Sequence, residues 1–213
     1  DLQGAFAENW LEATGIVLGG AEFFPRHREA GRAFAQVVRS SPEGGASGLY
    51  TTLLLAVSSA RQSIHLTTPY FLPDRGLMDA LVRAAGRNVK VVILVPGLID
   101  HQIVREAGKR HFGRLLRAGV EIYEYMPALL HSKTLVIDGV WATIGSSNLD
   151  NRSFALNQEL NVIVYDRDVA GRLERVFADD LGRSRRLTYQ AWRHRGFKTR
   201  FLELFVLPFR DLL

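Results

Sequence analysis

The stretch "VKVVILVP" (89–96) constrains this chain more than any other. Val91 to Val95 are five apolar residues in a row, and all but Leu94 are β-branched. A strand with one wet face alternates apolar and polar side chains. A run without alternation belongs to a strand buried on both faces, as in a parallel sheet covered by helices. The flanking segments supply such helices. Arg75 to Arg87 places Leu77, Ala80, Leu81 and Ala84 at helical spacing, and Asp100 to Ala118 reads as a helix with Asp100 as candidate N-cap. "SIHLTTPYFLPD" (63–74) reads as a strand ending in a proline-bearing loop, "VEIYEY" (120–125) as a strand, and Leu49 to Arg61 as a buried helix with Ser47 as a cap. The alternation predicts an α/β fold with helices on both faces of the sheet.

Beyond residue 126 the pattern changes. "LLHSKTLVID" (129–138), the turn "DG" and "VWATIG" (140–145) predict an antiparallel hairpin. "QELNVIVYD" (158–166) is a further strand, and Arg167 to Leu181 an amphipathic helix. The sheet is therefore expected to be mixed, with parallel strands first and antiparallel pairs later. "LQGAFAENW" (2–10) aligns with "LERVFADDL" (173–181), which closes the domain. The likeness makes residues 1–21 the closing helix of a preceding copy of the same unit. Residues 22–48 read as a strand and a linker, 49–190 as the main domain, and 191–213 as a basic and apolar tail.

Composition narrows the partners. Hydrophobic residues make up 47% of the 213, enough for a sizeable core, and the net charge of +5 favours an anionic partner. The absence of cysteine excludes disulfides and thiolate metal sites. The histidines have no zinc-type spacing, so no metal site is expected. No apolar run reaches the roughly 18 residues of a membrane span. Residues 182–200 hold seven arginines and lysines and no acid, and apolar residues follow, which is the composition of an interfacial membrane anchor. Nucleic acid is the weaker expectation, because aromatic residues are not interleaved with the arginines.

The chemistry concentrates in "HSKTLVIDGVWATIGSSN" (131–148). On a strand, His131 and Lys133 share a face about 6–7 Å apart, a spacing that suits two groups touching one phosphate. The histidine serves as nucleophile or general acid/base, and the lysine supplies a fixed charge for a nonbridging oxygen. The hairpin returns Ser146 and Asn148 beside them as neutral donors for phosphate oxygens. Glu159, on a polar face with Asn157 and Asn161, is the candidate to accept the second imidazole proton of His131. Asp138 completes the catalytic set by position, although a carboxylate at a hairpin turn more often holds backbone or Arg152.

The pattern H-x-K-x4-D-x6-G-S-x-N resembles the HKD motif of the phospholipase D superfamily, matched from His131 through Asn148 with Glu159 downstream. "TPYFLPD" (68–74) and "NLDNRSFALNQE" (148–159) extend the resemblance to the second half of bacterial cardiolipin synthases. It implies one half of a pseudo-twofold enzyme in which two HKD copies share a site. One histidine forms a phosphohistidine, the other protonates the leaving alcohol, and no cofactor or metal takes part. The implied reaction moves a phosphatidyl group between phosphatidylglycerol-like anionic lipids to make cardiolipin, at the cytoplasmic face or periphery of a bacterial inner membrane. The alternatives are a phosphodiesterase of lipase or nuclease type, and a non-catalytic half-domain. Only His131 begins an H-x-K triplet; His27, His65, His101, His111 and His194 do not. The second motif is therefore expected from a missing first half or from a second copy of the chain.

Overall fold

The computed structural model of the protein describes residues 1–26, 31–40, 47–98, 102–150, 153–154 and 156–194, with the side chains of 47 and 102–109 set aside. Eight strands form one mixed sheet in the order β1-β7-β6-β5-β2-β3-β4-β8. Its parallel centre is β2 (Ser63–Thr67), β3 (Lys90–Pro96) and β4 (Glu121–Tyr125). The connections carry α3 (Arg75–Gly86) and α4 (Gln102–Arg117). From β2 outward, β5 (Thr134–Ile137), β6 (Trp141–Gly145), β7 (Glu159–Tyr165) and β1 (Phe34–Ser40) pair antiparallel in turn. At the other edge β8 (Ser184–Leu187) runs antiparallel to β4.

Both faces of β3 are buried, as its unbroken apolar run requires. Val91 and Ile93 join Ile64, Leu66, Leu135 and Ile137 under α2 (Ser47–Ser59), α3 and α4. Val92 and Leu94 face the other way, against Phe177 of α5 (Arg167–Gly182), while Val136 and Ala142 meet its Ala170. α3 starts at Asp74, whose carboxylate accepts the N–H groups of Gly76 and Leu77 and so serves two of the first turn's orphan donors.

The hairpin turn is the expected Asp-Gly. Asp138 and Gly139 both have positive φ, 53° and 64°, and the Val140 N–H donates to the Ile137 carbonyl at 3.1 Å, a type I′ turn. The strand before it is shorter than "LLHSKTLVID" suggested and begins at Thr134. Its partner β2 ends opposite, at Thr67, and Pro69, which has no N–H, leads that chain away. His131 and Lys133 therefore lie just ahead of the strand, not on it.

The basic segment after Gly182 also differs from a solvated stretch. Arg185 donates to Glu124 on β4 at 2.6 Å, Arg186 lies 3.4 Å from Glu121, and Arg183 pairs with Asp180 at 2.8 Å. The acids absent from 182–200 are supplied by β4 and α5. A short helix α6 (Tyr189–Arg193) then packs Trp192 so tightly on Gly113 of α4 that a Cβ there would come within 2.2 Å of the ring. The rest of the basic-apolar tail (195–213) lies outside the described residues, as do the linker at 41–46, the cap Asp100 and Arg152.

Residues 1–21 do begin with a helix, α1 (Leu2–Thr14). It is held by an Arg39–Glu8 ion pair and by a Gln158–Glu12 hydrogen bond of 2.7 Å. Only Ala5 of this helix is buried, and Leu2, Phe6 and Trp10 are exposed on one stripe, with Phe6 and Trp10 stacked. No helix among the described residues is long and apolar enough to cross a membrane.

Candidate active site

Strand directions bring the motif together. The carboxyl ends of β2, β3, β4 and β6 and the amino ends of β5 and β7 all lie at one end of the sheet. The loop after β2 bridges Phe71 to Leu149, and the Leu72 N–H donates to the Leu149 carbonyl at 3.0 Å. "TPYFLPD" is thereby tied to "GSSNLD". Tyr70 from that loop meets the His131 ring edge-on, with centroids 6.4 Å apart. His131 itself is exposed, so its ring is open to a reactant.

Lys133 is half-buried, and its ammonium donates to the His131 carbonyl at 2.9 Å. Burial pushes its pKa below the ordinary lysine value, while the carboxylates of Glu159 and Asp150 pull it back up. Lys133 lines a cavity of about 20 Å³ together with Thr67, Thr68, Thr143, Ser147 and Asn161, room for one water-sized guest. His131, Lys133, Asn148 and Glu159 all lie towards one end of the sheet, although His131 and Lys133 precede the strand on which their spacing is read.

Ser146 and Glu159 depart from expectation, and of the two readings of Asp138 the structure shows the backbone-holding one. The Ser146 hydroxyl does not face the site: it accepts the Leu160 N–H at 3.0 Å and lies on the exposed side of the turn. Ser147, the variable position of the motif, turns inward in its place, and its buried hydroxyl has no partner among the described residues. Side chains alternate along an extended segment, and Gly145 at the end of β6 sets that phase. Glu159 accepts from Asn157 at 3.1 Å rather than from the His131 ring. Asp138 stands at the far end of β5, where its carboxylate accepts the N–H groups of Arg61, Gln62 and Ser63 at 2.7–3.2 Å. Burial alone would raise its pKa, but the Ser63, Gln62 and Arg61 N–H groups, together with the Arg61 charge, outweigh it and hold the carboxyl below its usual range. It fastens the hairpin to the start of β2.

Asn148 has its backbone fixed by the Ser153 hydroxyl, which accepts its N–H at 3.0 Å, while its side-chain oxygen is buried with no partner among the described residues. Ser153, fully buried, donates its own N–H to Asp150 at 2.7 Å. Asp150, Ser147, Asn161 and Tyr70 were not singled out as site residues in the sequence. The available signals were the phase of the returning strand and the polar face of β7.

The sequence model of the family described as "Cardiolipin synthase, PLD-like domain" matches residues 53–181. Cardiolipin synthase A of Erwinia tasmaniensis is 40% identical over 189 residues, which are 89% of this chain and 39% of that protein. The chain thus spans about two fifths of the length of the curated relatives it matches. Among solved structures, the phospholipase D family member Nuc of Salmonella typhimurium superposes with a TM-score of 0.63 at 23% identity, over 74% of this chain and 99% of that one. The phosphatidylserine synthase of Haemophilus influenzae gives a TM-score of 0.66 at 14% identity, over 84% of this chain and 46% of that one. At these identities the two structures speak for the fold. The family model covers more than half of the chain and the curated relatives are about 40% identical over most of it: the chain belongs to the phospholipase D-like domain family of the cardiolipin synthases.

Proposed function

We propose that the chain is the second catalytic half of a cardiolipin synthase-type phosphatidyltransferase. The observation that carries this reading is an exposed His131 imidazole beside a half-buried lysine, at the end of the sheet where the Asn148 turn also arrives. In the reaction, an imidazole nitrogen attacks the phosphorus of an anionic phospholipid such as phosphatidylglycerol. The P–O bond to the departing alcohol breaks, and the second histidine gives that alcohol its proton. A second lipid alcohol then loses a proton to the same histidine and displaces the phosphohistidine, giving cardiolipin. Lys133 and Asn148 hold nonbridging oxygens throughout, and Glu159 keeps the lysine charged and the polar face of β7 in place. His131 takes one of the two histidine roles, and the missing first half, or a second copy, takes the other.

The reading places the reaction at a membrane surface, where lipid substrates are presented to the peripheral protein from the cytoplasmic side of the inner membrane. The uncovered apolar stripe of α1 supports the idea that residues 1–21 close a preceding unit. The test is to join the chain to an intact first half and measure cardiolipin formation in phosphatidylglycerol vesicles. His131→Ala should abolish turnover without loss of the fold. Near-normal turnover in that variant would refute the assignment, and phosphatidic acid as the product would make water the acceptor.

A further inference from the structure

Asn161 occupies the middle of β7, two residues beyond Glu159 and on the same face of the strand. It is 3% exposed. The next residue on that face, Ile163, belongs to the apolar core, so an aliphatic side chain would suit the burial at 161. An amide there is tolerated only because it is bonded. Its Oδ1 accepts the Ser147 N–H at 3.3 Å, and its Nδ2 donates to the Thr143 hydroxyl at 3.2 Å. One side chain therefore joins β7, β6 and the turn that follows β6.

The same amide presses on Gly145. A Cβ at 145 would stand 2.3 Å from Asn161 Oδ1 and 2.4 Å from the Leu160 carbonyl, so only glycine fits. The Gly145 N–H in turn donates to the Lys133 carbonyl at 3.3 Å, and the Lys133 ammonium donates to the His131 carbonyl. Two short paths run outward from Asn161. One passes through Gly145 to Lys133 and the other through Ser147 to Asn148. Asn161 also lines the cavity that Lys133 borders.

We propose that Asn161 is a positioning residue for phosphate binding: its side-chain amide fixes the Gly145–Asn148 turn and, with it, the relative placement of Lys133 and Asn148. It touches no substrate. The proposal rests on the phosphate-handling role given above to His131 and Lys133. The alternative is a buried amide that contributes to folding and nothing more.

The probe is inorganic phosphate, titrated into the 213-residue chain while the His131 imidazole signal, identified by its loss in His131→Ala, is followed by proton NMR. Asn161→Ala should weaken phosphate binding about tenfold, because the turn loses its buried partner and with it the preorganisation of its donors. Thr143→Val keeps the shape of its side chain but removes the hydroxyl that accepts from Asn161. It should weaken binding severalfold in the same direction, and Thr143→Ser should restore it. A role confined to folding would lower the melting temperature and leave the affinity of the folded fraction alone. Equal affinity in the parent chain, Asn161→Ala and Thr143→Val would therefore overturn the proposal and leave the proposed function standing. If Asn161→Ala does not fold, the Thr143 pair decides alone. A parent chain whose His131 signal ignores phosphate would remove the phosphate reading itself, and this proposal with it.

Discussion

Lys133 sits between opposing influences that set its working range. Burial lowers its pKa from the ordinary lysine value, and Glu159 and Asp150, both negative, raise it again. Phosphate binding should therefore fall away on the alkaline side at a pH below that of a free lysine. Glu159→Gln removes one of the carboxylates that favour the ammonium, so the alkaline limb should move to still lower pH. Titrating phosphate affinity against pH in both proteins checks this, and an unmoved limb would detach it from Lys133. The same substitution should cost less turnover than His131→Ala, since it changes the charge around the reacting groups but not a reacting atom. At this scale the sequence was legible where chemistry dictates residue type. His131, Lys133 and Asn148 stand out by their spacing, and the fold carries all three to one end of the sheet. Which of two adjacent serines turns inward was not legible, because it depends on the phase at which β6 ends and on the pair of bonds between Ser146 and the Leu160 backbone.

The β5–β6 hairpin depends on a clamp rather than on its turn alone. Asp138 gathers the N–H groups that open β2, so it secures an antiparallel pair to the parallel centre of the sheet. Asp138→Asn should lower stability at neutral pH by about 1–2 kcal/mol, since a neutral amide oxygen accepts less strongly than a carboxylate. The native carboxyl has a depressed pKa, so its contribution is complete above the unfolded value near 3.9 and is lost as pH falls through the lower folded value. Urea unfolding of parent and variant at neutral pH and near pH 3 should show the gap closing in acid. A gap that is the same at both pH values would mean the charge plays no part.

The larger elements were legible for a related reason. An unbroken apolar run and an Asp-Gly turn leave little choice of local structure. β8 was missed because its sequence, Ser184 to Leu187, has two arginines in four residues and reads as solvent-facing. Its pairing is legible only against the acids of β4, and such partners are distant in sequence. The strand bearing the motif was drawn too long because its end is decided by β2 and Pro69, not by its own residues.

For the whole molecule, the decisive quantity is the number of catalytic histidines that reach one phosphorus. In-line displacement places the attacking and leaving groups on opposite sides of phosphorus, and one imidazole cannot serve both. The 213-residue chain alone is expected to show no transferase turnover while monomeric. Turnover measured over a range of protein concentrations, beside sedimentation, should stay at background where only monomer is present. Turnover from a species that remains monomeric would refute the two-histidine mechanism, whereas a rise with the dimer fraction would mean that two copies complete the site.

The two edges of the sheet differ in what they can accept. The β8 edge carries Arg185 and Arg186, already paired to β4 across the strand. The β1 edge bears Phe34 at 82% exposure and no charged residue before Arg39. Charged side chains discourage strand addition, and an apolar edge invites it. Among the described residues, the β1 edge is therefore the more receptive of the two to an added strand. A copy pairing β1 to β1 about a twofold axis would occupy that edge on both partners and so form a closed pair.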